Sequence, residues 1–247
     1  MNWLKLGVLI NTTNKQEEAC IQMDIIRNTW SELFKDVVIV HVYNGDDEFI
    51  NYKEDESVLC DNPNNFEWAA NMMDKGMYIL KKYDLDYIIV SASDCRWTQP
   101  EKLMSILIEM KLNNKYLASC PWWHAWQDDR KSYGLACDTF IVDAKREKEH
   151  HIFPLAYGDF HKKYMDVLHY FWRYNITVEN LLSAKFISAC ANVFSTSQVK
   201  NVVHKSLYII RERIPMMTDS KRNFDCPKLW LYTNHLPLTE KIKCLQK

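Results

Sequence analysis

The chain alternates short β-branched runs with amphipathic stretches, and few architectures accept that order. Leu4–Ile10 and Val37–Tyr43 (VVIVHVY) are apolar almost throughout and too short for helices. Between them Ala19, Met23, Ile26, Trp30 and Leu33 recur every three or four positions, which predicts a helix over Gln16–Phe34 with one buried stripe. A weak strand at Val58–Cys60 follows. Phe66–Leu80 reads as a helix, with Phe66, Ala69, Met73, Met77 and Leu80 on one face, and Tyr87–Val90 as a strand. Thr98-Gln99-Pro100-Glu101 opens another helix as a Thr/Glu capping box around an early proline, and Leu103, Ile106, Leu107 and Met110 form its stripe. Tyr116–Cys120 and Thr139–Val142 are the next strands. Strands this apolar need cover on both faces, so the expected class is α/β: a mostly parallel central sheet flanked by helices. After residue 145 the pattern turns helical. Phe160, Tyr164, Val167, Leu168 and Phe171 form one stripe, and Val178, Leu181, Leu182 and Ala189 another.

In such sheets ligands bind beyond the carboxyl ends of the strands. That rule singles out Asn11–Asn14, Asn44–Asp47, Asp61–Asn65 and Ser91–Arg96, all rich in Asn, Asp, Ser and Thr. Each alone is ordinary turn chemistry; four converging on one sheet edge point to a site.

Glycine usage narrows what that site can be. There are only 5 glycines, and the nearest two, Gly134 and Gly158, are far apart. Motifs that cradle phosphate on bare backbone need several glycines within about eight residues. A P-loop and a dinucleotide fingerprint are therefore excluded, and G-x-S-x-G is absent too. Any nucleotide here must be held by side chains, with or without a metal.

Lys and Arg number 31 against 32 Asp and Glu, a formal charge of -1, so no electrostatic case exists for nucleic acid. No run approaches the roughly 18 apolar residues of a membrane span. The N-terminal run carries no basic leader, and the 8 cysteines form no C-x-x-C pair. The expectation is a cytoplasmic protein with reduced thiols. Adjacent His150 and His151 cannot chelate as a helical pair would, and His41, inside a strand, reads as a core histidine.

The stretch Asn64–Leu103, NNFEWAANMMDKGMYILKKYDLDYIIVSASDCRWTQPEKL, resembles the centre of GT-A-fold glycosyltransferases, which use nucleotide-sugar donors. In that family an Asn-bearing helix precedes a strand ending in D-x-D, and a proline-initiated helix follows. Here Asn71 lies in the helix, Ala92-Ser93-Asp94 stands at the motif, and Pro100 follows. The resemblance covers residues 3 to 145. It implies a single GT-A-like domain over 1–247, with residues 1–118 as a nucleotide-sugar half and 119–247 as an acceptor half. It further implies a hexosyltransferase-type enzyme with a UDP- or GDP-sugar donor and a glycan or other hydroxyl acceptor.

The resemblance also assigns residues. Thr12, Thr13, Asn44 and Asp61 would carry base and ribose, with Asn71, Ser93, Asp94 and Arg96 completing the donor site. Only the last acid of D-x-D is present. Asp94 would hold Mn²⁺ or Mg²⁺ if the diphosphate supplies further oxygens. A metal-independent enzyme would instead meet that charge with Arg96 or another cation. A second landmark, Thr177-Val178-Glu179-Asn180, resembles the E-D pair at a helix start in inverting members, again with one acid kept. Glu179 is the candidate general base, and Asp138 and Asp159 are lesser ones. Pro121–Asp129 (PWWHAWQDD) is expected as a loop whose Trp122, Trp123 and Trp126 stack on sugar, with Asp128 accepting from hydroxyls. Two alternatives remain open: a degenerate GT-A-like protein that binds a sugar nucleotide or glycan without turnover, and another nucleotide-handling α/β enzyme such as a nucleotidyltransferase.

Overall fold

The computed structural model describes residues 4–61, 67–93, 95–97, 99–123, 133–159, 178–190, 206–209 and 231–232. The elements run β1 (Lys5–Thr12), α1 (Gln16–Thr29), β2 (Asp36–Tyr43), β3 (Glu56–Leu59), α2 (Glu67–Leu80) and β4 (Tyr87–Ala92). Then come β5 (Cys95–Arg96), α3 (Pro100–Leu112), β6 (Leu117–Trp123), β7 (Tyr133–Asp143), α4 (Ala144–His150), α5 (Val178–Cys190), β8 (Leu207–Ile209) and β9 (Leu231–Tyr232). Among the described residues a seven-stranded sheet has the order β3-β2-β1-β4-β7-β6-β8, and β5 pairs with β9 in a small second sheet. Strands β3, β2, β1 and β4 are parallel; β7 runs antiparallel to both β4 and β6, and β8 is parallel to β6. The expected α/β class with a mostly parallel sheet is the observed one.

The period of two along each strand divides the core into two layers. Leu6, Val8 and Ile10 of β1 face Ala19, Met23 and Ile26 of α1 and Leu103, Leu107 and Met110 of α3. Leu9 faces the other way, toward Met72, Met73 and Met77 of α2 and Leu181, Leu182 and Phe186 of α5. Burying each such side chain stabilises the fold by about 1.5–3 kcal/mol, so the two layers, rather than helix propensity, hold the helices in place. A Cβ at Gly76 would overlap the Leu9 side chain, so glycine lets α2 lie close on β1.

Four sequence expectations change. Helix α1 ends at Thr29 rather than Phe34, because Leu33 N–H and Phe34 N–H both turn back to the Trp30 carbonyl. Trp30 and Phe34 stay buried, ring against ring in an edge-on contact at 5.7 Å, so the apolar stripe outlasts the helix. The residue before α3 is Gln99, which makes no side-chain cap, with Pro100 in the first turn, so the helix starts one residue later than a cap at Thr98 expects; Thr98 lies outside the described residues. The third change concerns Pro121–Trp123, expected as loop. They continue β6 and pair with Leu135, Gly134 and Tyr133 of β7. Pro121 sits at the register irregularity of the β6–β7 pair, the kind of position at which a strand accepts proline. Finally, β3 begins earlier, at Glu56. The stripe from Phe160 to Phe171 lies outside the described residues.

Candidate functional site

From β1 the chain moves outward through β2 to β3, then returns to pair β4 on the other side of β1. Helices α1 and α2 lie on opposite faces, so the carboxyl ends of β1 and β4 flank a topological switch point. The polar strand ends converge there. Asn44 N–H donates to the Thr12 carbonyl at 3.1 Å, and Ser93 N–H to the Asn11 carbonyl at 2.9 Å. The Thr13 hydroxyl donates to Asn44 Oδ1 at 2.8 Å, joining two of the expected donor-site residues. Asn44 is buried, and its Nδ2 has no hydrogen-bond partner among the described residues; the same holds for the buried Oδ1 of Asn11. A Cβ at Gly45 would overlap the Thr13 carbonyl and the Tyr43 hydroxyl, so glycine is what lets the β1 and β2 ends approach so closely.

The other expected residues fall as follows. Asp61 is exposed just beyond β3, two strands outward from β1. Asn71 is half-buried in the second turn of α2. Ser93 is buried directly after β4, and Arg96 lies on β5. Trp122 and Trp123 lie on β6, and Glu179 is the second residue of α5, which packs on β7. Asp138 lies on β7 next to Thr139, which is in register with Ser91 of β4. Its carbonyl accepts from Cys95 Sγ at 3.8 Å. Between Ser119↔Phe140 and Pro121↔Leu135 the β6–β7 register shifts, so Asp138 belongs to a bulged segment; bulges beside strand ends commonly re-aim a side chain. Asp94, Trp126 and Asp128 lie outside the described residues.

Beneath the strand ends, on the α1 face, lies a layer of polar side chains whose pairing, and whose member Gln22, sequence reasoning missed; His41 is the core histidine expected. Gln22 of α1, fully buried, donates through Nε2 to Ser91 Oγ at 2.7 Å. His41 Nε2 stands 3.0 Å from Thr12 Oγ1, so the Thr12 hydroxyl faces the interior. Thr139 is buried beside Ser91. Three atoms of this layer, Gln22 Oε1, His41 Nδ1 and Thr139 Oγ1, have no hydrogen-bond partner among the described residues. Burial drives the His41 pKa down from 6.5 to about 4, so the ring is neutral at pH 7. The available signal was polarity breaking an apolar run: Gln22 inside the α1 stripe, His41 in VVIVHVY, Ser91 in YIIVSA.

Among the described residues no group of three or more His, Cys, Asp or Glu is placed to hold a metal ion. No helix among them is long and apolar enough to cross a membrane. The free oxygen of Asn11 is the hard donor type that Mg²⁺ and Mn²⁺ accept.

No family model matches the sequence, and no curated protein matches it. Solved structures do. The galactosyltransferase LgtC, in complex with donor and acceptor sugar analogs, is similar over 72% of this chain and 69% of its own, at 11% identity and a TM-score of 0.47. The glycosyltransferase GlyE of Streptococcus pneumoniae is similar over 73% and 43%, at 12% identity and a TM-score of 0.39. The 4-diphosphocytidyl-2C-methyl-D-erythritol synthase of Anaerococcus prevotii is similar over 81% and 94%, at 11% identity and a TM-score of 0.43. Each is what this chain is similar to; the α/β class itself is read from the chain's own sheet and helices.

Proposed function

We propose that the protein is a glycosyltransferase that moves a sugar from a nucleotide-sugar donor to an acceptor hydroxyl. The observation that carries this reading is a pair of buried amide atoms at the strand ends, Asn11 Oδ1 and Asn44 Nδ2, that have no hydrogen-bond partner among the described residues. One accepts and one donates, which suits a nucleobase edge or a ribose, and leaving either unmet in the free protein costs about 1–3 kcal/mol. Base and ribose rest on Thr13, Asn44 and Asp61. The diphosphate lies toward Ser93, Asp94 and Arg96. A divalent Mn²⁺ or Mg²⁺ held by Asp94 would neutralise charge on the leaving diphosphate; without metal, Arg96 does so. Trp122, Trp123, Trp126 and Asp128 border the sugar and acceptor.

In the inverting form the acceptor oxygen attacks the anomeric carbon, and its proton passes to the Glu179 carboxylate, or to Asp138 in its place. The bond from the anomeric carbon to the diphosphate breaks, and the nucleoside diphosphate leaves with the electron pair. A retaining form needs no such base.

A thermal-shift panel of UDP-, GDP-, CMP- and dTDP-sugars, with and without Mn²⁺, tests the reading, since a ligand of the native state raises its melting temperature. A donor that shifts the transition supports it; no shift with any donor overturns it. A second reading, binding without turnover, draws on the two half-kept acidic pairs at Asp94 and Glu179. A donor that shifts the melting temperature yet is neither hydrolysed nor transferred selects it.

A further inference from the structure

We infer that Gln22 is a positioning residue for the donor site, acting through Ser91. A fully buried glutamine in the apolar stripe of α1 is an expensive choice, because its amide leaves water. Its helical neighbours on that face, Ala19, Met23 and Ile26, are apolar as the layer requires. Gln22 satisfies only half of its amide: Nε2 donates to Ser91 Oγ at 2.7 Å, and Oε1 has no partner among the described residues. A residue selected for core stability would be Leu or Met, which fills the same volume with nothing left unpaired.

What the bond does is local to the strand end. It crosses from the first helix after β1 to the penultimate residue of β4, and the Ser91 hydroxyl in turn donates a hydrogen bond to the Ala92 carbonyl at 3.3 Å. It thereby fixes the segment that runs straight into Ser93 and Asp94. On the other side of the switch point His41 holds Thr12 of β1 in the same layer. The two strand ends that flank the crevice are thus each held by a buried side chain from a neighbouring element. Their spacing sets the geometry offered to a diphosphate, and loosening it by about an ångström weakens function by up to about a hundredfold.

This inference rests on the proposed donor site, and the test separates the two. Gln22→Leu and Ser91→Ala are compared with the unaltered protein by thermal melting without ligand, and by titration with UDP and GDP in the presence of Mn²⁺. We expect the ligand-free Gln22→Leu protein to melt at or above the temperature of the unaltered one, while nucleotide affinity falls at least tenfold. Ser91→Ala should lose the same affinity, and combining both changes should add little to either. Unchanged affinity in Gln22→Leu, with nucleotide bound normally by the unaltered protein, overturns the positioning role alone. So does a marked fall in its ligand-free melting temperature, which would make Gln22 a stabilising core residue. Should neither nucleotide bind the unaltered protein while another donor of the thermal-shift panel does, the same comparison is read with that donor; should no donor of the panel bind, the donor reading itself fails.

Discussion

Two regions of this molecule bury polar groups, and they do so in opposite ways. At the amino edge of the sheet the Glu147 carboxylate of α4 is completely enclosed. It accepts from the Tyr116 hydroxyl at 2.6 Å, Ile152 N–H at 3.0 Å and Phe153 N–H at 2.9 Å, and pairs with Lys81 Nζ at 2.7 Å. Asp74 of α2 continues the clamp, accepting from Leu155 and Ala156 N–H. Residues 151–156 are thereby laced to the body of the fold, with His151 and Ala156 in left-handed conformations. At the carboxyl edge Asn11, Gln22, His41, Asn44 and Thr139 each keep an unpartnered buried atom among the described residues. A group whose bonding capacity is used up within the protein is structural. One that keeps capacity beside a crevice is where a ligand can be recognised.

The largest expected effect breaks the comparison from the structural side. Glu147→Ala removes four partners at once and leaves the Lys81 ammonium without its buried counter-charge, so unfolding free energy in urea should fall by about 3–5 kcal/mol. A loss below about 1 kcal/mol would place Glu147 with the spare groups instead.

A pH titration of stability tests the carboxyl edge. Because the folded state depresses the His41 pKa from 6.5 to about 4, the unfolded chain binds the proton more readily in that interval. The stabilising contribution of neutral His41 is complete above pH 6.5 and is lost as pH falls toward 4, about 3 kcal/mol in all. His41→Gln should flatten the stability profile between those two values. A profile that keeps its slope would assign the acid sensitivity to other groups.

The smallest stability effect should accompany a large functional one. Asn11→Ala deletes an atom that has no partner among the described residues, so denaturant midpoints should move by less than about 1 kcal/mol equivalent. The melting-temperature rise produced by a sugar nucleotide should nevertheless disappear. A destabilised protein that still binds donor normally would reverse the roles assigned to the two edges.

Much of the fold is legible in the sequence because hydrophobic period is a local signal. The runs at Leu4–Ile10 and Val37–Tyr43 and the stripe Ala19–Met23–Ile26 declare their elements unaided. Pro121–Trp123 did not, since proline and three aromatic residues nearby suit a loop as well as a strand; only the bulge in β7 decides. The strand-end loops could be picked out by composition, and Thr13 meeting Asn44 follows from parallel β1 and β2. The polar layer beneath them could not. Gln22 finds its partner 69 residues away and His41 finds its own 29 away, and each looks like a lone irregularity in an apolar run. The break in each run is a local signal, but the partner it meets is not.

The place of β7 in the sheet has a consequence for how the chain is made. Strand β6 is synthesised first, yet it touches the parallel strands only through β7, which inserts between it and β4. A nascent chain that has not yet emerged past residue 143 therefore holds β1 to β4 with the β4 flank still open and β6 without its β7 partner. Closing that gap is a non-local event that slows folding and exposes two strand edges while it waits. The bulge carrying Asp138 is set in that same step, so the carboxyl end of the described sheet beside β4 is among its last parts to take shape.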